Sequence, residues 1–165
     1  MPSSSSSSSL PLSAYPFQQR HQTRWSDNDQ YSHMNNSVYY HLFDSIVNTY
    51  LIRHCGLLPN GPGERIGLVV ESHCQFFAPL SFPQPLILGL RVTKLGRSSV
   101  TYEVGVFEDS VRNNVGGMKP AAVGGYTHVF VDSGNRKGGL EMPEAMRKGL
   151  KALMGDGEEK EKTKL

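Results

Sequence analysis

Asp27, Asp29, His33, Asn35 and Asn36 fall within ten consecutive residues, inside the stretch Arg24-Trp25-Ser26-Asp27-Asn28-Asp29-Gln30-Tyr31-Ser32-His33-Met34-Asn35-Asn36. Carboxylates and an imidazole move protons and attack polarised carbonyls. The stretch runs straight into the strongest helix pattern of the chain, whose unpaired N–H groups and positive dipole end point back toward it. Such a junction suits the binding and attack of a polarised carbonyl. An ordinary polar loop of Asx turns and a helix cap uses the same residue types. Asp27, Asp29 and His33 are also metal-ligand types, yet one histidine and two acids in one loop lack the dense spacing of zinc or iron sites, so no metal is expected.

The element behind this loop is predicted over Ser37 to Cys55. There Val38, Tyr39, Leu42, Phe43, Ile46, Val47, Tyr50 and Leu51 recur in adjacent pairs four apart and draw a broad apolar stripe. Burying that stripe is worth more than ~10 kcal/mol before chain entropy is counted, so it forms the centre of a small core. Asn35 or Asn36 suits the N-cap, and Gly56 followed by Leu57 suits a left-handed C-cap. Phe17 to Trp25 reads as a strand leading into the loop. After the Pro59-Asn60-Gly61-Pro62-Gly63 turn the pattern changes to strands. Ile66 to Phe77 is the first, and Pro79 to Pro85 breaks it. Leu86, Leu88, Leu90 and Val92, then Val100, Tyr102, Val104 and Val106, alternate with period two around Gly96-Arg97 and predict an antiparallel hairpin. Asp109 to Pro120 reads as a long mobile excursion, Ala121 to Asp132 as the last strand, and Pro143 to Met154 as a short terminal helix. One striped helix and one half-buried sheet bury each other in a two-layer α+β domain, with the sheet curled round the helix.

Bulk properties bound the partners. At 165 residues the chain holds one core, and 17 basic against 15 acidic side chains offer no strongly basic surface for a polyanion, so nucleic acid is not expected. Cys55 and Cys74 lack metal-ligand spacing and read as small buried thiols in a reducing compartment. No run is long enough for a membrane span. Residues 1–14, dominated by Ser3 to Ser9, read as a disordered leader, 15–154 as the folded domain, and 155–165 as a charged flexible tail. The serine-rich leader weakly resembles a transit peptide without its amphipathic basic helix. The expected location is cytoplasmic, with mitochondrial import as the alternative.

Arg24 to Asp29, followed by His33-Met34-Asn35-Asn36 and Tyr39-Tyr40, resembles the Asp-x-Asp, His-Val-Asn-Asn and aromatic pattern of the 4-hydroxybenzoyl-CoA thioesterase-like branch of the hotdog-fold acyl-CoA thioesterases. Phe76-Phe77-Ala78-Pro79-Leu80, Gly96-Arg97-Ser98-Ser99-Val100 and His128-Val129-Phe130-Val131-Asp132 are similar to further segments of that family in the same order. The resemblance covers about Phe17 to Met154. It implies a hotdog fold, an antiparallel sheet wrapped around one long central helix, in a homo-oligomer, dimer or tetramer, with active sites at the subunit interface. The implied activity is hydrolysis of an acyl-CoA thioester, with CoA part of the substrate and no separate cofactor. A non-catalytic hotdog module that binds acyl-CoA or an acyl carrier is the alternative.

The resemblance places the family's catalytic carboxylate on Asp29, acting as nucleophile through a mixed anhydride or as general base on water. It places the carbonyl-polarising N–H near Asn36, where the residues had already put a helix N-terminus. His33 is expected to orient Asp29 or the substrate, and Asp27 to act as a structural cap. Tyr31, Asn35, Tyr40, Glu71 and Ser72 are expected to contact substrate, although Asn35 also suits a purely structural role. Arg97 and Ser98 in the hairpin turn suit the CoA phosphates, and a solvated turn uses such residues as well. Two departures from the family pattern stand out. Ser32 occupies a position where glycine is common, and Phe82-Pro83-Gln84-Pro85 replaces a simple turn.

Overall fold

Helix α1 spans Asn36–His54, and every residue of the predicted apolar stripe is buried along it. The molecule is a computed structural model that describes residues 9–61, 65–110 and 118–155. Both helix ends use the expected chemistry. The Asn35 side-chain oxygen accepts the Ser37 N–H at 3.0 Å, capping the first turn. At the other end Gly56 adopts φ +69°, and the N–H groups of Cys55 and Leu57 both donate to the Leu51 carbonyl.

Five strands follow the expected order: β1 (Phe17–Gln22), β2 (Arg65–Phe76), β3 (Pro85–Leu95), β4 (Ser99–Glu108) and β5 (Ala122–Asp132). They form one sheet in the order β1-β3-β4-β5-β2, with every pairing antiparallel. Leu86, Leu88, Leu90 and Val92 of β3 and Val100, Tyr102, Val104 and Val106 of β4 lie in one buried cluster with the α1 stripe. The predicted period of two is therefore the core-facing side of the hairpin. Helix α2 (Glu144–Lys151), with Pro143 at its cap, closes the far end of this core. The Tyr50 hydroxyl donates to the Gly149 carbonyl there, and Arg147 donates to the carbonyls of Gly96 and Arg97.

Two expectations change at the edges. The strand predicted to Trp25 ends at Gln22, because a 3-10 turn over Trp25–Asp27 bends the chain toward α1. The disordered leader expected over 1–14 does not extend to its own last residues. Leu12 lies in a short 3-10 turn (Leu12–Ala14) and joins Tyr15, Phe107 and Met118 in a second apolar cluster on the sheet face away from α1. The Tyr15 ring fits there because Gly89 and Gly105 have no side chain, and a Cβ on either would fall within 3 Å of it. Residues 1–8 with most of the serine run, the centre of the 109–120 excursion and the charged tail past Gly155 lie outside the described residues.

Candidate active site

The loop between β1 and α1 is built by its own acids and amides. Asp27 is buried, with 1% of its surface exposed, and accepts the Arg24 backbone N–H at 2.7 Å and the Arg24 Nε at 3.3 Å. Its carbonyl accepts the Asn35 N–H at 2.8 Å, which ties the turn to the cap of α1. Asn28 forms a bridge to Met34 and clamps the β2–β3 connection, donating to Ser81 Oγ at 3.2 Å and accepting the Phe82 N–H at 3.1 Å. Asp29 organises the tip. Its N–H donates to the His33 carbonyl at 2.7 Å, and its Oδ1 accepts the N–H groups of Tyr31 at 2.7 Å and His33 at 3.2 Å. Asp29 Oδ2 makes no hydrogen bond among the described residues. The tip closes through Ser32 at φ +64°, which explains why glycine suits that position in the family pattern.

This loop forms one wall of a cavity of about 300 Å³ lined by His33, Met34, Asn36, Tyr39 and the run Phe76 to Leu80. A volume of this order accommodates a small acyl group and its thioester. Asn36, which lines the cavity, stands at the first position of α1 at the positive end of a long helix, and its backbone N–H has no partner among the described residues. The opposite wall is apolar, with the Tyr39 ring edge-on to Phe76 at 4.9 Å. Burial, with Cys74 nearby, pushes the Tyr39 phenol up to about 12, and burial pushes the Cys74 thiol up to about 11. Both groups are therefore protonated at neutral pH, and neither places a charge beside the helix N-terminus.

Of the residues expected to act, His33 and Asn36 line this cavity, and Asp29 stands directly behind His33, tied to its backbone in both directions. Asn35 serves as the cap, with its side-chain oxygen engaged by the N–H and hydroxyl of Ser37. Tyr31 is 82% exposed at the loop tip, outside the cavity lining. Tyr39 is buried in the core with the rest of the α1 stripe, as expected, and also lines the cavity, while Tyr40, expected to contact substrate, lies outside the lining and packs edge-on to Phe43. Glu71 and Ser72 lie on β2 outside the lining. The pairing of Glu71 with Thr127, whose hydroxyl bonds to Thr101, sets Glu71 on the face opposite α1, whereas Ser72 pairs with buried Tyr126 on the α1 side. Arg97 and Ser98 sit at the α2 end of the sheet. Val106 lies beside Ala122 near the cavity and Val100 beside His128, so roughly 20 Å of β4 separates the hairpin turn from the cavity within one chain.

The wall from Phe76 to Leu80 carried no predicted site role. Its signal was an apolar run ending in proline immediately after a strand. Burial, with Asp44 of α1 nearby, raises the pKa of the Tyr126 phenol. Among the described residues no three His, Cys, Asp or Glu side chains come together as metal ligands, and no helix is long and apolar enough to cross a membrane.

Comparison with known proteins places this geometry. The sequence profile of the thioesterase superfamily matches residues 31–113, a span that contains the loop tip, α1 and the apolar wall. The PA5185 protein of Pseudomonas aeruginosa is 44% identical, over 88% of this chain and 97% of that one, with a TM-score of 0.80. A thioesterase superfamily protein of Jannaschia sp. CCS1 is 19% identical over 87% of this chain and 92% of that one, with a TM-score of 0.73. A thioesterase of Thermus thermophilus, solved with coenzyme A and Zn, is 24% identical over 85% of this chain and 95% of that one, with a TM-score of 0.64. Among curated proteins there is no match. With the profile covering half the chain and a close structural relative spanning nearly all of the described fold, the chain belongs to the thioesterase superfamily.

Proposed function

We propose that this protein is an acyl-CoA thioesterase that uses Asp29 and the α1 N-terminus to hydrolyse a thioester into a carboxylic acid and free CoA. The observation that carries the reading is a small cavity lined by His33 and by Asn36, whose N–H has no partner among the described residues, with the anchored Asp29 carboxylate tied to His33 behind it. The Asn36 N–H donates to the thioester oxygen as negative charge develops there, an effect worth on the order of 3 kcal/mol in other enzymes. Asp29 presents Oδ2, either to the carbonyl carbon or to a water whose proton it takes. In both routes water supplies the new oxygen, the C–S bond breaks, and the thiolate leaves with a proton. His33 holds Asp29 through the backbone and contributes its ring to the cavity wall. Coenzyme A is present in the solved relatives from Thermus thermophilus and from Staphylococcus aureus, which supports a CoA ester as the substrate here.

The reading includes a homodimer joined through β2. That strand is an edge of the sheet, so one side of its backbone is unpaired among the described residues, and Leu68, Val69 and Val70 along it are exposed together with Phe76 and Phe77 beyond. A second copy paired there would cover these side chains and the open side of α1, and would bring a second set of loops to the cavity rim. Measuring thiol release from a panel of acyl-CoA esters of different chain length and aromaticity tests the activity. Turnover of at least one member is expected. Saturable acyl-CoA binding with no thiol release across the panel would instead identify a binding module.

A further inference from the structure

Trp25 is the single tryptophan of the chain and is 83% exposed, an unusual position for the largest apolar side chain. It is not loose. The 3-10 turn over Trp25–Asp27 is held by buried Asp27, and the indole stands edge-on to Phe82 with ring centres 5.9 Å apart. Phe82 is itself fixed, because its N–H donates to the Asn28 side chain that also binds Ser81. Next to the indole, Arg24 is fastened through Nε to Asp27, while its two terminal nitrogens have no partner among the described residues. An exposed indole one residue from a guanidinium anchored through its Nε matches a heteroaromatic base linked to phosphates: the ring stacks on the base and the two terminal nitrogens bind phosphate oxygens in pairs. The platform and the cavity belong to one rim, since Asn28, Ser81 and Ser32 are joined by hydrogen bonds and Leu80, next to Ser81, lines the cavity.

We infer that Trp25 and Arg24 form the subsite for the nucleotide end of the CoA ester, in place of Arg97 and Ser98 of the same chain. The inference rests on the acyl-CoA reading above, and its test separates the two. The same acyl group is presented on CoA and on N-acetylcysteamine, which keeps the thioester but lacks the nucleotide. Trp25→Ala is expected to lower kcat/KM for the CoA ester about tenfold relative to the truncated ester, chiefly through KM, with Trp25→Phe recovering most of the loss. Arg24→Lys, which keeps the charge and loses the fork, is expected to shift the same ratio in the same direction. Equal losses on both esters would reduce Trp25 to a structural role and overturn the inference.

Tryptophan emission gives a readout independent of turnover. Free CoA is expected to quench Trp25 in the wild type, and pantetheine at equal concentration to leave it unchanged. Emission that ignores CoA but changes with protein concentration would assign Trp25 to a contact between copies and also overturn the subsite. Quenching by CoA without hydrolysis of either ester would overturn the catalytic reading and leave the subsite standing.

Discussion

Two acids two residues apart do different work here because their surroundings differ. Asp27 is buried and spends both oxygens on Arg24, so it holds the turn that aims the loop. Replacing it with alanine leaves the Arg24 N–H without its partner, and Asp27→Ala should lose about 2 kcal/mol of stability, read as a lower urea midpoint. Turnover per folded molecule should stay within a few-fold of wild type. Asp29 fixes one oxygen and leaves the other unbonded, which is what an attacking or proton-accepting group needs. Ser32 makes a second case. A non-glycine residue at φ +64° carries roughly 1–2 kcal/mol of strain. Part of its relief is cancelled by the looser unfolded chain that glycine allows. Ser32→Gly should therefore be stabilised by roughly 0.5 kcal/mol in urea unfolding, and a clear loss of stability would show that the Ser32 side chain contributes something beyond its backbone.

At the scale of elements, α1 was legible almost residue by residue, because a helix stripe and its caps are local patterns. The β3–β4 hairpin was legible for the same reason. What the sequence did not reveal depends on which strand pairs with which. The face that Glu71 occupies follows from its register with Thr127 and from an irregularity between Val69 and Glu71, and neither leaves a local trace. The outward turn of Tyr40 and the inward turn of Tyr39 likewise depend on where Phe76 arrives. The sheet also carries a titrating group at its centre. His128 on β5 is buried among Tyr102, Tyr126 and Phe130, and its Nδ1 has no partner in the described structure. Burial lowers its pKa from 6.5 to about 4. The folded chain keeps the ring neutral where the unfolded chain protonates it. Its contribution is therefore intact above pH 6.5 and is lost progressively as pH falls toward 4, by about 3 kcal/mol in all. Burial shifts His21 in the same direction. Urea midpoints of His128→Gln should fall less steeply between pH 7 and 4.5 than those of wild type, whatever the difference at pH 7. Parallel curves would contradict the assignment.

For the whole molecule, one chain supplies a carboxylate, a helix donor and an apolar wall, but leaves a strand edge bare and the predicted phosphate turn at the far end of the sheet. The proposed pairing of two copies through β2 would cover the edge, where Val70 is 62% exposed. Sedimentation should give twice the chain mass, and Leu68→Lys with Val70→Lys should shift the protein toward monomer and lower turnover with it. A fully active monomer would contradict the shared site. The superfamily was legible from four short segments in order, because loop chemistry is written locally. Which strand is the edge was not, because an edge strand looks like any other strand until its neighbours are known. The account depends most on Asp29, and its most direct test is the initial rate of thiol release from the best acyl-CoA substrate by wild type and Asp29→Asn at matched oligomeric state. The prediction is a fall in kcat of roughly 10²-fold or more with KM little changed, and equal rates for the two proteins would contradict it.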